Sequence, residues 1–230
     1  MAYNMPIMKI LALDTSTEYC SLALLLDGKV LSREVLAGQR HSELILPMLQ
    51  ALLAEAGLGL NALDGVAFGS GPGSFTGLRI GCGIAQGLAF GANLPVAGIC
   101  TLEALAEGSA EKRVISCLDA RMGEVYHGIY ERRDGAWITI SPPGLYSPQD
   151  APLAPGGDWA GYGSGFAMYG DKLYAHYGNQ LKSMTGDVYP HARHIASLAS
   201  SVFEQGLGVE SWNAAPLYIR DKVALKTSER

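Results

Sequence analysis

Basic runs are missing from this 230-residue chain. Its 17 Lys and Arg stand against 22 Asp and Glu, a net charge of −5, and no cluster of Lys or Arg stands out. That excludes a protein that grips nucleic acid alone, because such binding rests on neutralising phosphates. Any work on RNA needs a basic partner. Long hydrophobic runs are missing too: no stretch of about eighteen apolar residues exists to cross a membrane. The opening residues, MAYNMPIMKILALDTST, lack the long apolar segment and small-residue cleavage site of a signal peptide. A start at Met1, Met5 or Met8 fits them equally. The cysteines Cys20, Cys82, Cys100 and Cys117 form no Cys-x-x-Cys pair, and each lies in an apolar run. Buried thiols in a reducing, cytoplasmic compartment are the expectation. With 48% hydrophobic and 17% charged residues, the chain has enough apolar surface for a packed core.

Motifs for metal and phosphate are also absent. The histidines His41, His127, His176, His191 and His194 show no H-x-x-x-H or H-E-x-x-H spacing. His191 and His194, just after Pro190, are expected as exposed polar residues at a helix start. No lysine lies between Val30 and Glu111, so the glycine-rich stretch there is no P-loop, whose lysine reaches the phosphates. Gly71, Gly73 and Gly77 read G-x-G-x-x-x-G, one residue longer than a dinucleotide fingerprint. No G-x-S-x-G nucleophile elbow occurs.

What is present is an α/β pattern that opens twice. Apolar runs at Met8–Leu13, Ser21–Leu26 and Val30–Val35, with Asp27-Gly28 between the last two, predict a strand meander with a tight hairpin. A helix is expected from Ser42 as N-cap to Gly57 as stop, with Pro47 kinking it or removing a hydrogen bond. Then follow a buried strand at Gly65–Gly71, a helix over Phe75–Gly91, a strand at Pro95–Cys100 and a helix from Thr101. Val114–Trp137 repeats the opening: strand, Leu-Asp, turn, strand, Asp-Gly. Asp14 and Asp119 lie 105 residues apart, and Asp27 and Asp134 lie 107 apart. Two copies of one α/β unit are implied. Ser141–Gly165 reads as loop with short strands, His191–Gln205 as helix, and Ala215–Lys226 as a closing strand or arm. The boundaries are set at 6–106 for a first lobe, with the 213–230 tail as its candidate completion, and 107–212 for a second.

Two helices carry unusual compositions. Gly77, Gly81, Gly83, Gly87 and Gly91 fall within about 160° of one face of the second. Interior glycines cost about 1 kcal/mol each against alanine, so close approach of another backbone is expected there, from the chain's own sheet or from another helix. On the first, Leu44, Ile45, Leu46, Met48, Leu49, Leu52 and Leu53 spread over about 200°, where a surface helix shows an apolar stripe of about 100° or more. One face for the core and one for a partner explains the excess. The amides of Ser74–Gly77 at a helix start are a candidate anion site, and Asp14 ends a strand where α/β folds display functional groups. Asp14, Ser74, Thr76 and Gly77 are therefore the candidate nucleotide contacts.

At these residues the chain resembles the TsaB (YeaZ) family. FGSGPGSFTGLRIGCGIAQGLA looks like its signature, and ILALDTST, RHSELILPML, CLDARMGEVY and PLYIRDKVA match in order and spacing, from Met8 to Ala224. The resemblance implies an α/β fold of two ribonuclease-H-like lobes, of the actin/Hsp70/sugar-kinase class. It implies a part in making N6-threonylcarbamoyladenosine at position 37 of tRNAs that read ANN codons. In that system the relative TsaD transfers the threonylcarbamoyl group and carries the metal motif. The TsaB-type chain is similar in fold but not catalytic. It binds TsaD, the ATPase TsaE joins the pair, tRNA is met only through the complex, and homodimers form when the chain is alone. ATP or ADP at the partner interface is the one cofactor implied. Where TsaD binds metal, this chain reads QRHSEL with only His41, and no metal is expected. The family pairs through its first two helices, which places His41, Leu44, Ile45, Met48, Leu52, Arg79, Gly83 and Gly87 at the interface. Older labels called the wider family glycoproteases, but no protease site is visible here. The alternative is a phosphotransferase of the same fold, using Asp14 or Asp119 with Mg²⁺ and ATP.

Overall fold

A computed structural model describes residues 8–220. The expected starts at Met1 and Met5, the first-lobe boundary at residue 6, and the tail from 221 onward lie outside them. The chain divides into two compact units. The first runs up to Ala110 and takes back Tyr189–Pro216; the second is Glu111–Val188 with Leu217–Arg220, so of the tail expected to complete the first lobe only the part up to Pro216 joins it among the described residues.

The first unit is a five-stranded sheet covered on both faces. Strands β1 (Lys9–Asp14), β2 (Tyr19–Leu26) and β3 (Lys29–Leu36) form an antiparallel meander, and β4 (Gly65–Gly71) and β5 (Val96–Cys100) join β1 in parallel. The sheet order is β3-β2-β1-β4-β5. The hairpin turn is Asp27-Gly28, both residues left-handed as a two-residue loop of this hand requires. Side chains alternate across the sheet by size. Leu11, Leu13, Leu22, Leu24, Val66 and Phe68 face one side, under helices α1 (His41–Ala56) and α2 (Phe75–Ala92). Ile10, Ala12, Ala23, Ala67 and Ala97 face the other, under α3 (Thr101–Glu107) and α5 (Ala192–Glu204). Burial on both faces explains why β1 and β4 read as continuous apolar runs.

The second unit repeats the first. Its strands are β6 (Arg113–Asp119), β7 (Val125–Arg133), β8 (Ala136–Tyr146), β9 (Trp159–Tyr162) and β10 (Leu181–Thr185), in the order β10-β9-β6-β7-β8. Again the first three are antiparallel and the last two parallel to the first. Helix α4 (Ser164–Tyr177) covers Ile115, Cys117, Ile129 and Trp159 with Phe166, Leu173 and Tyr177. The two sheets are ribonuclease-H-like, and the duplication read from the Asp spacing is real.

Three expectations are corrected. Ser42 is not the N-cap: Arg40 holds that position and no side chain caps α1, because the helix starts at His41, whose ring turns inward to the Tyr19 carbonyl at 3.2 Å. The helix runs on through Pro47 to the left-handed Gly57. Ser141–Gly165 is loop with short strands as expected: β8 runs through Pro142 and Pro143 to Tyr146, where an edge strand leaves one row of amides unused, and β9 follows after the loop 147–158. His191 and His194 are not exposed: His191 is buried and caps α5 through the Arg193 amide, and His194 is half-buried. Finally, α5 does not belong to the second lobe. Its Ile195, Ala196, Ala199 and Phe203 pack onto the alanine-lined face of the first sheet, which small side chains leave shallow enough for a helix.

Candidate functional site

The glycine-rich loop between β4 and α2 is clamped onto the end of β1. The Ser74 amide donates to the Ser16 carbonyl at 2.7 Å, and the Thr15 hydroxyl donates to the Gly77 carbonyl at 2.7 Å. A Cβ on Gly73 would sit 2.5 Å from the Ser16 carbonyl oxygen, and one on Gly81 2.6 Å from the Thr15 hydroxyl. A Cβ on Gly77 would collide with the Thr15 carbonyl outright. The Gly71-Pro72 peptide is cis, and the buried Thr101 hydroxyl donates to the Pro72 carbonyl at 2.5 Å. The glycines there let two backbones touch.

Part of the candidate nucleotide site is engaged within the chain. The Ser74 amide is taken by Ser16, and the Gly77 amide by the Ser74 hydroxyl that caps α2. Two of the four amides offered as an anion site are thus engaged inside the chain. Gly77 is buried, while Ser74 and Thr76 stay exposed. Asp14 is buried, with Oδ2 lacking a partner and lying where a side chain on Gly69 would stand. Its Oδ1 accepts from the amide and hydroxyl of Ser16, at 3.2 and 2.9 Å. Burial pushes its carboxyl up to about 7; the Ser16 bonds lower it and Glu34 adds to the rise. Asp119 holds the equivalent turn, its Oδ1 accepting from the Arg121 amide at 2.8 Å and the Tyr169 hydroxyl at 3.1 Å. Each aspartate is a turn-former after the first strand of its unit, the ordinary work of that residue. This accounts for the repeat without phosphotransfer chemistry. Among the described residues no group of three or more His, Cys, Asp or Glu could hold a metal ion.

The outer side of α1 and α2 is different in kind. Gly83, Gly87 and Gly91 have open space where a side chain would be, and Phe90 beside them is 72% exposed. On α1, Leu46 is 46% exposed. So the glycines of α2 divide by height on the helix: Gly77 and Gly81 meet the chain's own β1 end, while Gly83, Gly87 and Gly91 meet nothing. Arg79 is exposed on the same helix, its guanidinium 3.7 Å above the Phe75 ring. Three residues expected at an interface face inward instead. His41, Ile45 and Leu52 are buried, the last two in the core over β2. Leu44 and Met48 are half-buried against that core.

The chain is similar to known proteins over nearly its whole length. A family model described as TsaD, tRNA N6-adenosine threonylcarbamoyltransferase, matches residues 34–226. The tRNA threonylcarbamoyladenosine biosynthesis protein TsaB of Escherichia coli is 40% identical over 95% of this chain and 97% of its own length. That of Haemophilus influenzae is 40% identical over 94% and 95%. The chain belongs to the TsaB family. The solved structure of YeaZ from Pseudomonas aeruginosa superposes with a TM-score of 0.85 at 38% identity, covering 92% of this chain and 99% of that one. This TsaB-family chain therefore has the two-lobed fold of the actin/Hsp70/sugar-kinase class that its motifs implied.

Sequence reasoning missed the residues that build the clamp, and one exposed residue outside any motif. Thr15 and Thr101 look like ordinary hydroxyls until the loop closes on them. Phe90 had a signal: it is a lone large side chain between Gly87 and Gly91. Trp212, 66% exposed, sits in a segment with no motif at all.

Proposed function

We propose that the chain is a non-catalytic subunit of the machinery that forms threonylcarbamoyladenosine in tRNA. It docks a TsaD-type transferase through the outer side of α1 and α2 and holds that subunit competent to act. The observation that carries this is the open stripe of Gly83, Gly87 and Gly91, with Phe90 exposed on the same helix and Leu46 exposed on α1. Glycines in a helix interior without a neighbour are a standing cost, and they are explained by a partner backbone that needs the room. Arg79 is exposed on the same helix as the stripe. TsaE joins the pair as the ATPase, tRNA is met through the complex, and a second copy covers the face when the transferase is missing. The place of action is the cytoplasm; among the described residues no helix is long and apolar enough to cross a membrane.

The test is complex formation with purified TsaD-type subunit on a sizing column. Leu46→Glu and Gly87→Arg put charge and bulk on exposed positions, so Leu46→Glu should keep the wild-type melting temperature, Gly87→Arg should match or exceed it through its better helix propensity, and both should elute apart from the partner. Co-elution of both variants at wild-type affinity overturns the proposal.

A further inference from the structure

Within the second unit, Leu217–Arg220 come back to the turn of the CLDARMGEVY segment. That turn, 120–124 between β6 and β7, holds three consecutive left-handed residues: Arg121 at φ 63°, Met122 at φ 55° and Gly123 at φ 80°. Glycine takes this conformation freely. Arginine and methionine do not, because the Cβ crowds the following carbonyl oxygen. The corresponding turn of the first unit, 15–18 between β1 and β2, has no left-handed residue. Joining two such strands does not by itself require the strain.

Strained residues persist where their surroundings over-determine them, and three side chains do so here. Asp119 Oδ1 accepts from the Arg121 amide at 2.8 Å. The Tyr169 hydroxyl donates to the same oxygen at 3.1 Å and accepts from the Gly123 amide. The backbone of α4 leaves helical angles at this same tyrosine, with φ −126° and ψ 26°. The third grip comes from 96 residues away: Arg220 donates to Glu124 Oε2 at 2.6 Å and to the Met122 sulfur at 3.1 Å.

Arg220 differs from the other two. Its side chain is only 12% exposed, and its Nε is buried without a partner. The ion pair with Glu124 is what keeps the guanidinium there, since a nearly buried charge left alone is strongly disfavoured. The grip is therefore all-or-none: Arg220 is docked on both groups or returned to water. In its grip the turn displays Arg121, with a side chain 78% exposed, and Met122, 57% exposed.

We infer that Arg220 is a latch on this turn. Docked, it holds 120–124 left-handed and fixes Arg121 and Met122 in one pose; undocked, it lets the turn relax and the pose is lost. The device belongs to the second unit alone and does not depend on which partner covers α1 and α2. Two amides report its state, because they close the turn: Ala120 donates to the Glu124 carbonyl at 3.0 Å and Glu124 to the Arg121 carbonyl at 3.1 Å.

The experiment is amide hydrogen exchange by NMR on the full chain. Wild type is compared with Arg220→Met and Glu124→Gln, which cut the pair from opposite sides, and a thermal melt confirms that each stays folded. Both variants should exchange about tenfold faster or more at Ala120 and Glu124, with Ile115 and Ile129 in the core strands unchanged. Arg220→Met is then repeated in a chain carrying Arg121→Gly, which relieves strain and leaves the Met122 and Glu124 contacts in place. Arg121→Gly alone should exchange no faster than wild type, since relief at a left-handed position outweighs the added freedom of glycine. On that background Arg220→Met should raise exchange by a clearly smaller factor, because the turn needs its latch less. Wild-type exchange in both single variants overturns the inference. So does an equal rise with and without the glycine, or faster exchange in Arg121→Gly alone, because strain would then play no part.

Discussion

Gly77→Ala and Gly83→Ala lie six residues apart on α2 and should move stability in opposite directions. Alanine improves a helix interior by about 1 kcal/mol over glycine. At Gly83 nothing stands within 4 Å of the added Cβ, so most of that gain is kept. The melting temperature should rise by about 2–4 °C for a chain of this size. At Gly77 the methyl falls on the Thr15 carbonyl, whose carbon would be 3.1 Å away and whose oxygen lies far inside contact distance. The obstacle is backbone, so it cannot swing aside as a side chain would. Relief requires the start of α2 to back away from β1, stretching the Thr15–Gly77 and Ser74–Ser16 bonds that bridge that gap. Overpacking costs about 1–3 kcal/mol, and each weakened bond about 1 kcal/mol more. After the helix gain, a net loss of about 2–4 kcal/mol is expected. Urea denaturation followed by circular dichroism, with m-values shared across variants, measures both. A Gly77→Ala variant as stable as wild type refutes the clamp. A destabilised Gly83→Ala refutes the open stripe.

Three other outcomes are expected. Burial holds the Asp14 carboxyl at about 7 against an ordinary 3.8, so its stabilising contribution is full below about pH 4 and is lost as pH rises through 7. Asp14→Asn should therefore gain on wild type between pH 5 and pH 8; urea midpoints that differ by a constant amount at both pH values refute this. His127 and His191 act oppositely: burial lowers them to about 3 and about 4, and the stability of their neutral forms is lost as pH falls below 6.5. Without the opposing slope of Asp14, the Asn variant should also fall off more steeply in acid. In the second unit the Tyr177 hydroxyl accepts from His127 Nε2 at 2.7 Å and donates to the Pro152 carbonyl at 2.9 Å. Tyr177→Phe leaves both groups buried and unsatisfied and should cost about 1–3 kcal/mol, read as a lower urea midpoint. Thr101→Val keeps the shape but removes the donor to Pro72, and a similar loss of about 1–3 kcal/mol is expected by the same assay.

Strands were legible where period and turn chemistry agreed. The Asp27-Gly28 and Asp134-Gly135 pairs mark both hairpins, and each is left-handed at both positions. The doubled Asp spacing gave the duplication, because the same turn closes the same strand twice. The home of α5 was hidden, since it depends on a match between its apolar face and an alanine-lined sheet about 180 residues earlier in the chain. For the candidate face, composition showed that α1 and α2 carry too much apolar and glycine content for one buried side. It could not divide that content. Ile45 and Leu52 went inward and Leu46 outward because helix phase is set by where α1 lands on β2, a tertiary fact. His41 read as an interface residue and became a core one for the same reason.

The most direct test of the docking account is reconstituted tRNA modification. Purified TsaD-type and TsaE-type subunits, tRNA, threonine, bicarbonate, ATP and the synthase that condenses these last three into the activated threonylcarbamoyl donor are combined with wild-type chain, with Gly87→Arg, or with no added chain. The account predicts threonylcarbamoyladenosine with the wild type, and none with Gly87→Arg or without the chain. Equal product in all three would contradict it.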